Sequence, residues 1–395
     1  MDCEEIKVPE EFSDISPYND EDFPKEIARL VNEEGFENAV KYVISDVNYA
    51  EFSSQLLQIK NKHDFQMQIM LPFLRKLEKS TTKGVTASGM ENIADNMPNV
   101  FLSNHRDIVL DASFLNLCLT LNGKPTTEIA IGNNLLIYPW IDMLVRLNKS
   151  FIVKRDTSKR HALEAAQHLS AYIHFAIKQK HQSVWIAQRQ GRAKDSDDRT
   201  QESLVKMLAL AGNTDIANGI KQLNLMPVSI SYEYDPNDYL KAKEFLLRKK
   251  DPDFKKSQHD DLLSMETGLL QNKGHAHFHF SRCINDQLDN LPCNCDKNET
   301  AHLICNIIDK AIHSNYYIYH NNYIAYDILN NSSRFNDEYS ADEKNDFCEY
   351  LNSQISKIDI PVNDDEAEYL RHMMLVMYAN PLTNQLIAKG LEQEK

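Results

Sequence analysis

The sequence predicts an α/β fold: a mostly parallel central sheet flanked by helices, with helical regions at the N- and C-terminal ends. Three observations predict it. Short apolar runs of strand length recur at Val100–Leu102, Glu128–Ile131, Ser150–Val153, Val184–Ala187, Pro227–Tyr232 and His275–Phe280. Helical patterns separate them, the order that builds parallel sheets. Outside this stretch the apolar residues recur at three- and four-residue spacing instead. The expected partition is an N-terminal helical region over 1–83, an α/β domain over 84–284 and a C-terminal helical region over 285–395.

Residues 1–25 are acidic and contain Pro9, Pro17 and Pro24, which reads as a loosely ordered lead-in. Phe65, Ile69, Met70, Phe73, Leu74 and Leu77 give a helix. After the Val100–Leu102 strand, Ile108, Val109, Ala112, Phe114, Leu115, Leu117 and Leu119 give a buried helix that Asn122-Gly123 stops. Leu135–Leu147 and Arg160–Lys180 are further helices. Near the C-terminus, Ala301–Ile312 and Glu366–Met377 are amphipathic, with Leu382-Thr383-Asn384 following Pro381.

Composition narrows the function classes. A chain of 395 residues with 42% hydrophobic and 26% charged residues buries a large core. The net charge of −15 argues against general nucleic-acid binding. Mean hydropathy is −0.50, and no apolar stretch approaches the ~18 residues of a spanning helix. The start Met1-Asp2-Cys3-Glu4-Glu5 lacks a signal-peptide pattern, so a cytoplasmic location is expected. Seven cysteines spread along the chain argue against a disulfide framework.

The chemistry concentrates at strand ends. Ser103-Asn104-His105-Arg106-Asp107 follows the first run and leads into the helix that holds Asp111. A histidine at a strand-to-helix turn is exposed, rigidly held and close to free backbone N–H groups. Asp107 and Asp111 stand four apart, on one helical face, so either can orient the His105 imidazole. His105 is then free to take a proton from a substrate hydroxyl. Arg106 beside it is a basic substrate-contact candidate. The run Ser150–Val153 ends in Lys154-Arg155, and Val184–Ala187 opens into Gln188-Arg189-Gln190-Gly191-Arg192-Ala193-Lys194. In a parallel sheet these tips share an edge with His105 and form a clamp suited to phosphate. The last run is a strand entered through Pro227.

In this order the four stretches resemble the blocks of the glycerolipid acyltransferase family, which includes glycerol-3-phosphate and lysophosphatidate acyltransferases. The likeness runs from about Gly84 to Ser281. It implies His105 as general base, Asp111 as its orienting acid, Arg155 in the second block, Gly191 and Arg192 as phosphate contacts, and Pro227 in the fourth. It also implies acyl transfer from acyl-CoA or acyl carrier protein to a hydroxyl of glycerol-3-phosphate or lysophosphatidate, at the inner face of a membrane. No metal or other cofactor is needed, and no covalent acyl-enzyme. Two departures stand out. Five residues rather than four separate His105 from Asp111, and Gln190 replaces the usual glutamate. Arg189, Arg192 and Lys194 lean toward the glycerol-3-phosphate branch. The departures also admit another hydroxyl-lipid acceptor, such as a lipoamino acid, or a non-catalytic lipid- or carrier-protein-binding module.

His275, His277 and His279 alternate along one strand face, with Cys283, Cys293, Cys295 and Cys305 following. Their spacing fits no familiar zinc pattern, so a strand edge with incidental thiols is expected. Membrane contact would use Leu240–Lys256 or the Leu135–Leu147 stretch with Tyr138 and Trp140; on composition, Trp140 reads as core.

Overall fold

The computed structural model describes residues 6–44, 46–155 and 159–393. Residues 1–5 of the expected lead-in, and Asp156 beyond the second basic tip, lie outside them. Seven strands form one sheet: β1 (Gly84–Ser88), β2 (Val100–Ser103), β3 (Glu128–Gly132), β4 (Ser150–Val153), β5 (Val184–Ala187), β6 (Met226–Tyr232) and β7 (His275–Phe280). Their order is β1-β7-β6-β2-β5-β3-β4. Strands β2 to β6 are mutually parallel, β7 runs antiparallel to β6, and β1 is parallel to β7. The six expected strands are all present; β1 is an addition.

Alternation along the strands feeds two cores. Val100, Leu102, Val184 and Ile186 pack with Tyr172 and Ile173 of α3 (Lys159–Lys178) and with Ile304 and Ile308 of α6 (Lys297–Ser314). Phe101, Trp185, Met226 and Phe278 face the other way, onto Phe114 and Leu115 of α1 (Leu110–Leu121). Phe23, Ile27, Phe36 and Phe65 of the N-terminal helices close over Met143 and Leu147 of α2 (Pro139–Leu147). A fourth cluster joins Ala242 and Leu246 of α4 (Asp238–Lys250) to Leu370, Met374 and Tyr378 of α7 (Asp364–Ala388). One further helix, α5 (Gln258–Leu270), lies between α4 and β7.

Several expectations are corrected. The described part of the lead-in is packed: Phe12 and Ile15 are buried, and the Ile15 carbonyl accepts the Ile152 N–H at 2.8 Å, covering the edge of β4. The helix expected over Leu135–Leu147 begins only at Pro139, whose fixed φ suits the first turn. α7 runs through Pro381 rather than ending before it. The apolar side of α4 faces the C-terminal cluster, so Leu240–Lys256 is no free amphipathic surface. Trp140 is half-buried, packing with Phe36 at 6.2 Å on one side and stacking on the exposed Tyr138 at 6.5 Å on the other.

The added strand β1 partners the histidines of β7. Thr86 Oγ1 lies 2.8 Å from His275 Nε2 and 2.7 Å from His277 Nδ1. Ser88 Oγ lies 2.8 Å from His277 Nε2 and 2.8 Å from His279 Nδ1. The Tyr319 hydroxyl continues the row at His275 Nδ1, 3.0 Å away. Each hydroxyl has one proton to give, and each neutral ring donates at one nitrogen and accepts at the other. The neutral row can therefore run in either sense, and it is burial, not the bonding pattern, that disfavours a charged ring. Burial and the flanking rings push His277 down to about 4, and burial also lowers His275 and His279. The folded chain thus binds fewer protons than the unfolded chain below the ordinary histidine value. The row's contribution is complete above about pH 6.5 and is lost as the pH falls toward about 4. His277→Gln is expected to flatten the drop in urea midpoint between about pH 7 and about pH 5; a wild-type drop would contradict this.

Candidate active site

Central strand β2 ends at Ser103, in register with Ala187 of β5 and Val228 of β6. Asn104 then extends the β2–β6 ladder with its side chain. Its Nδ2 donates to the Ile230 carbonyl at 2.9 Å and its Oδ1 accepts the Ile230 N–H at 2.8 Å. The Ser103 hydroxyl accepts the Trp185 indole N–H at 3.0 Å and donates to the Asn104 carbonyl at 2.8 Å. This buried bracing fixes where the chain leaves the sheet, and the next residue is His105.

His105 Nδ1 lies 2.8 Å from Asp111 Oδ2. Asp111 is fully buried, and the same oxygen accepts the N–H groups of Arg106 at 2.7 Å and Asp107 at 3.0 Å. Its other oxygen accepts the Tyr232 hydroxyl at 3.1 Å. Burial, reinforced by Asp111, holds the Tyr232 phenol far above its ordinary value, so it stays a donor. A carboxylate so placed favours the tautomer with the proton on Nδ1 and leaves Nε2 as an acceptor. The His105 ring meets Trp185 edge-on, 6.0 Å between centroids.

Asp107 has a different position from the one helical spacing suggests. α1 begins at Leu110, so Asp107 precedes the helix. Its Oδ1 accepts the N–H groups of Val109 and Leu110, and its Oδ2 accepts Asn237 Nδ2 at 2.8 Å. Burial first, and Asp111 second, raise its carboxyl above the ordinary range. The fifth intervening residue is absorbed in this entry turn, where successive N–H groups converge on Asp111, a backbone nest for an anion.

His105 opens onto a groove of about 550 Å³. Ile108 and Val109, Ile129 and Ile131 of β3, Leu144 of α2 and Ala166 of α3 give it apolar walls. Of the basic candidates, Lys154, Arg155 and Arg189 line it, as does Gln190. Arg189 stands two residues beyond Ala187, as His105 does beyond the paired Ser103. The Arg155 N–H donates to Asn133 Oδ1 at 2.9 Å, and the Gln190 N–H to Gln201 Oε1 at 2.8 Å. Lys154 is ion-paired with Asp14.

The remaining candidates lie elsewhere. Arg106 is 4% exposed and pairs with Asp198 at 2.7 Å. Gly191 adopts φ +74°, a left-handed turn that favours glycine. Past it, Arg192 lines a small pocket with Lys241, Lys256 and Asp260, and Lys194 pairs with Glu244 of α4. Pro227 is buried in β6 opposite Leu102. The expected single clamp is therefore divided: Arg155 and Arg189 share the groove with His105, while Arg192 and Lys194 turn toward α4.

Residues without a motif complete the surroundings. The buried Lys241 ammonium donates to the Arg106 carbonyl at 2.9 Å and pairs with Asp235 at 2.5 Å, bracing the histidine turn from behind. Met265 of α5 lines the groove, and Gly268 lies against Asp107. Among the described residues no cluster of His, Cys, Asp and Glu has the arrangement of a metal site. No helix among them is long and apolar enough to cross a membrane.

Residues 84–213 match the family model described as Acyltransferase. The matched residues lie within the stretch whose blocks resemble those of glycerolipid acyltransferases. Among solved structures, the chain is similar to the 1-acyl-sn-glycerophosphate (LPA) acyltransferase PlsC from Thermotoga maritima. The identity is 13%, the TM-score 0.36, and the likeness covers 73% of this chain and 97% of that one. No curated protein matches.

Asn104→Ala leaves the Ile230 N–H and carbonyl buried without these partners. It is expected to lower unfolding stability by about 2–5 kcal/mol in urea titration. A loss under about 0.5 kcal/mol would show that the side chain is no part of the ladder.

Proposed function

We propose that the protein is an O-acyltransferase that moves a fatty acyl group from acyl-CoA or acyl carrier protein to a hydroxyl of glycerol-3-phosphate or lysophosphatidate. The observation that carries this is the His105–Asp111 pair at an apolar groove, within the stretch that matches the acyltransferase family. The apolar walls suit an acyl chain. Arg189 and Arg155 suit the phosphate of the acceptor; Arg192 is the less suited, since it lines another pocket.

In this account the acceptor hydroxyl attacks the thioester carbonyl while His105 Nε2 takes its proton. The new C–O bond forms, the C–S bond breaks, and the proton passes to the departing sulfur. Asp111 stabilises the imidazolium that exists between these events. The reaction draws on no cofactor beyond the acyl donor. The lipid would be met at the inner face of a membrane. Tyr138 and Leu163, 48% and 59% exposed, flank groove-lining residues at the starts of α2 and α3 and would touch its surface.

The test is product formation from palmitoyl-CoA or palmitoyl-acyl carrier protein with glycerol-3-phosphate or lysophosphatidate, read by mass spectrometry. Wild type is expected to give the acylated lipid, and folded His105→Ala to lose ~10²–10⁴-fold in rate. Undiminished transfer by His105→Ala would refute the base. Arg189→Ala is expected to raise the acceptor KM more than it lowers kcat; an unchanged KM would remove Arg189 from the acceptor site.

A further inference from the structure

The helix α5 belongs to none of the family blocks, yet it reaches the groove. Met265 lines the groove together with His105. One turn on, Gly268 lies so close to the histidine turn that a methyl group there would stand 2.1 Å from Asp107 Oδ2. α5 also packs against the Asn133–Leu135 turn, whose Leu135 lines the groove as well, and against the helix Leu71–Thr81. Its start is capped internally and its C-terminal half is fastened to other elements. Ser257 and Asp260 form a capping box at its start, Glu266 accepts the Tyr42 hydroxyl, and Gln271 accepts Lys357 Nζ at 3.0 Å. Glycine within a helix costs about 1 kcal/mol relative to alanine. Here the contact with the Asp107 carboxylate requires it.

A general base that activates an alcohol activates water equally well, so a transferase must keep water from its thioester. We infer that α5 is the roof that does this, and that lifting it opens a second activity, thioester hydrolysis, on the same His105–Asp111 pair. This rests on the acyl-transfer function proposed above. With the roof raised, a water oxygen attacks the thioester carbonyl carbon while His105 Nε2 takes a proton from it. The C–S bond breaks, the sulfur leaves with that proton, and the products are a free fatty acid and a thiol.

The experiment follows thiol release and lipid product from palmitoyl-CoA, with and without lysophosphatidate or glycerol-3-phosphate. It uses wild type, Met265→Ala and Gly268→Val, each also combined with His105→Ala. Met265→Ala thins the roof without touching the histidine turn; Gly268→Val pushes α5 off Asp107. The ratio of hydrolysis to transfer is expected to rise about tenfold or more in both, and the added hydrolysis to vanish with His105→Ala. If Gly268→Val fails to fold by circular dichroism, Met265→Ala alone decides. Intact wild-type transfer with an unchanged ratio in Met265→Ala overturns the roof and leaves the transferase standing. Absence of His105-dependent acyl loss in every variant overturns the transferase, and the roof with it.

Discussion

The site depends on one fully buried carboxylate. Asp111 sits in the first turn of α1 and accepts from His105, the N–H groups of Arg106 and Asp107, and the Tyr232 hydroxyl. An ionised carboxylate out of water is tolerable only when its lone pairs are filled this way, and the helix N-terminus adds a favourable dipole. The same bonds that make Asp111 tolerable also shape the turn: two of its donors are backbone groups of the loop that carries His105. Holding the charge and aiming the imidazole are thus one arrangement. Asp107 finishes it from the other side by closing the start of α1 and meeting Asn237.

Around this centre the sheet supplies position and the helices supply environment. Parallel strands bring the loops after β2, β4 and β5 to one edge, which is why His105, Arg155 and Arg189 meet in one groove. The C-terminal helix α7 fastens the loops behind it. The Tyr378 hydroxyl donates to Asp238, Asn380 to the Asp195 carbonyl, and Asn384 to Asp197. Asp238 lies against α7, where burial raises its carboxyl to about 6. The helical ends of the chain therefore stiffen the stretch that matches the acyltransferase family rather than adding visible chemistry of their own.

Much of this was legible in the sequence because burial writes itself into strand runs. Runs such as Val100–Leu102 and Val184–Ala187 are strands covered on both faces and so read as apolar throughout, whereas β7 alternates buried Ala276, Phe278 and Phe280 with half-buried histidines. β1 escaped because it is an edge strand whose Thr86 and Ser88 serve polar partners, so it has no apolar run to read. The choice between Asp107 and Asp111 was not legible either. Helical phase assumes that a helix has begun, and Asp107 itself delays α1 to Leu110 by taking up the N–H groups before it. Spacing also says nothing of the left-handed turn at Gly191, beyond which Arg192 and Lys194 lie toward α4 while Arg155 and Arg189 line the groove. Met265 and Gly268 lie far from any motif. The single signal was a glycine inside an amphipathic helix, which marks close approach without naming the neighbour.

The central claim is that Asp111 fixes the proton of the His105 imidazole on Nδ1 and leaves Nε2 as the accepting nitrogen. The most direct measurement is ¹⁵N NMR of histidine-labelled protein over a pH series, the tautomer being read once the ring is neutral, with the His105 signals assigned by their loss in His105→Gln. The account predicts a protonated Nδ1 and an unprotonated Nε2. A His105 with its proton on Nε2 would contradict it, because a nitrogen that already carries a proton cannot take one from a substrate hydroxyl.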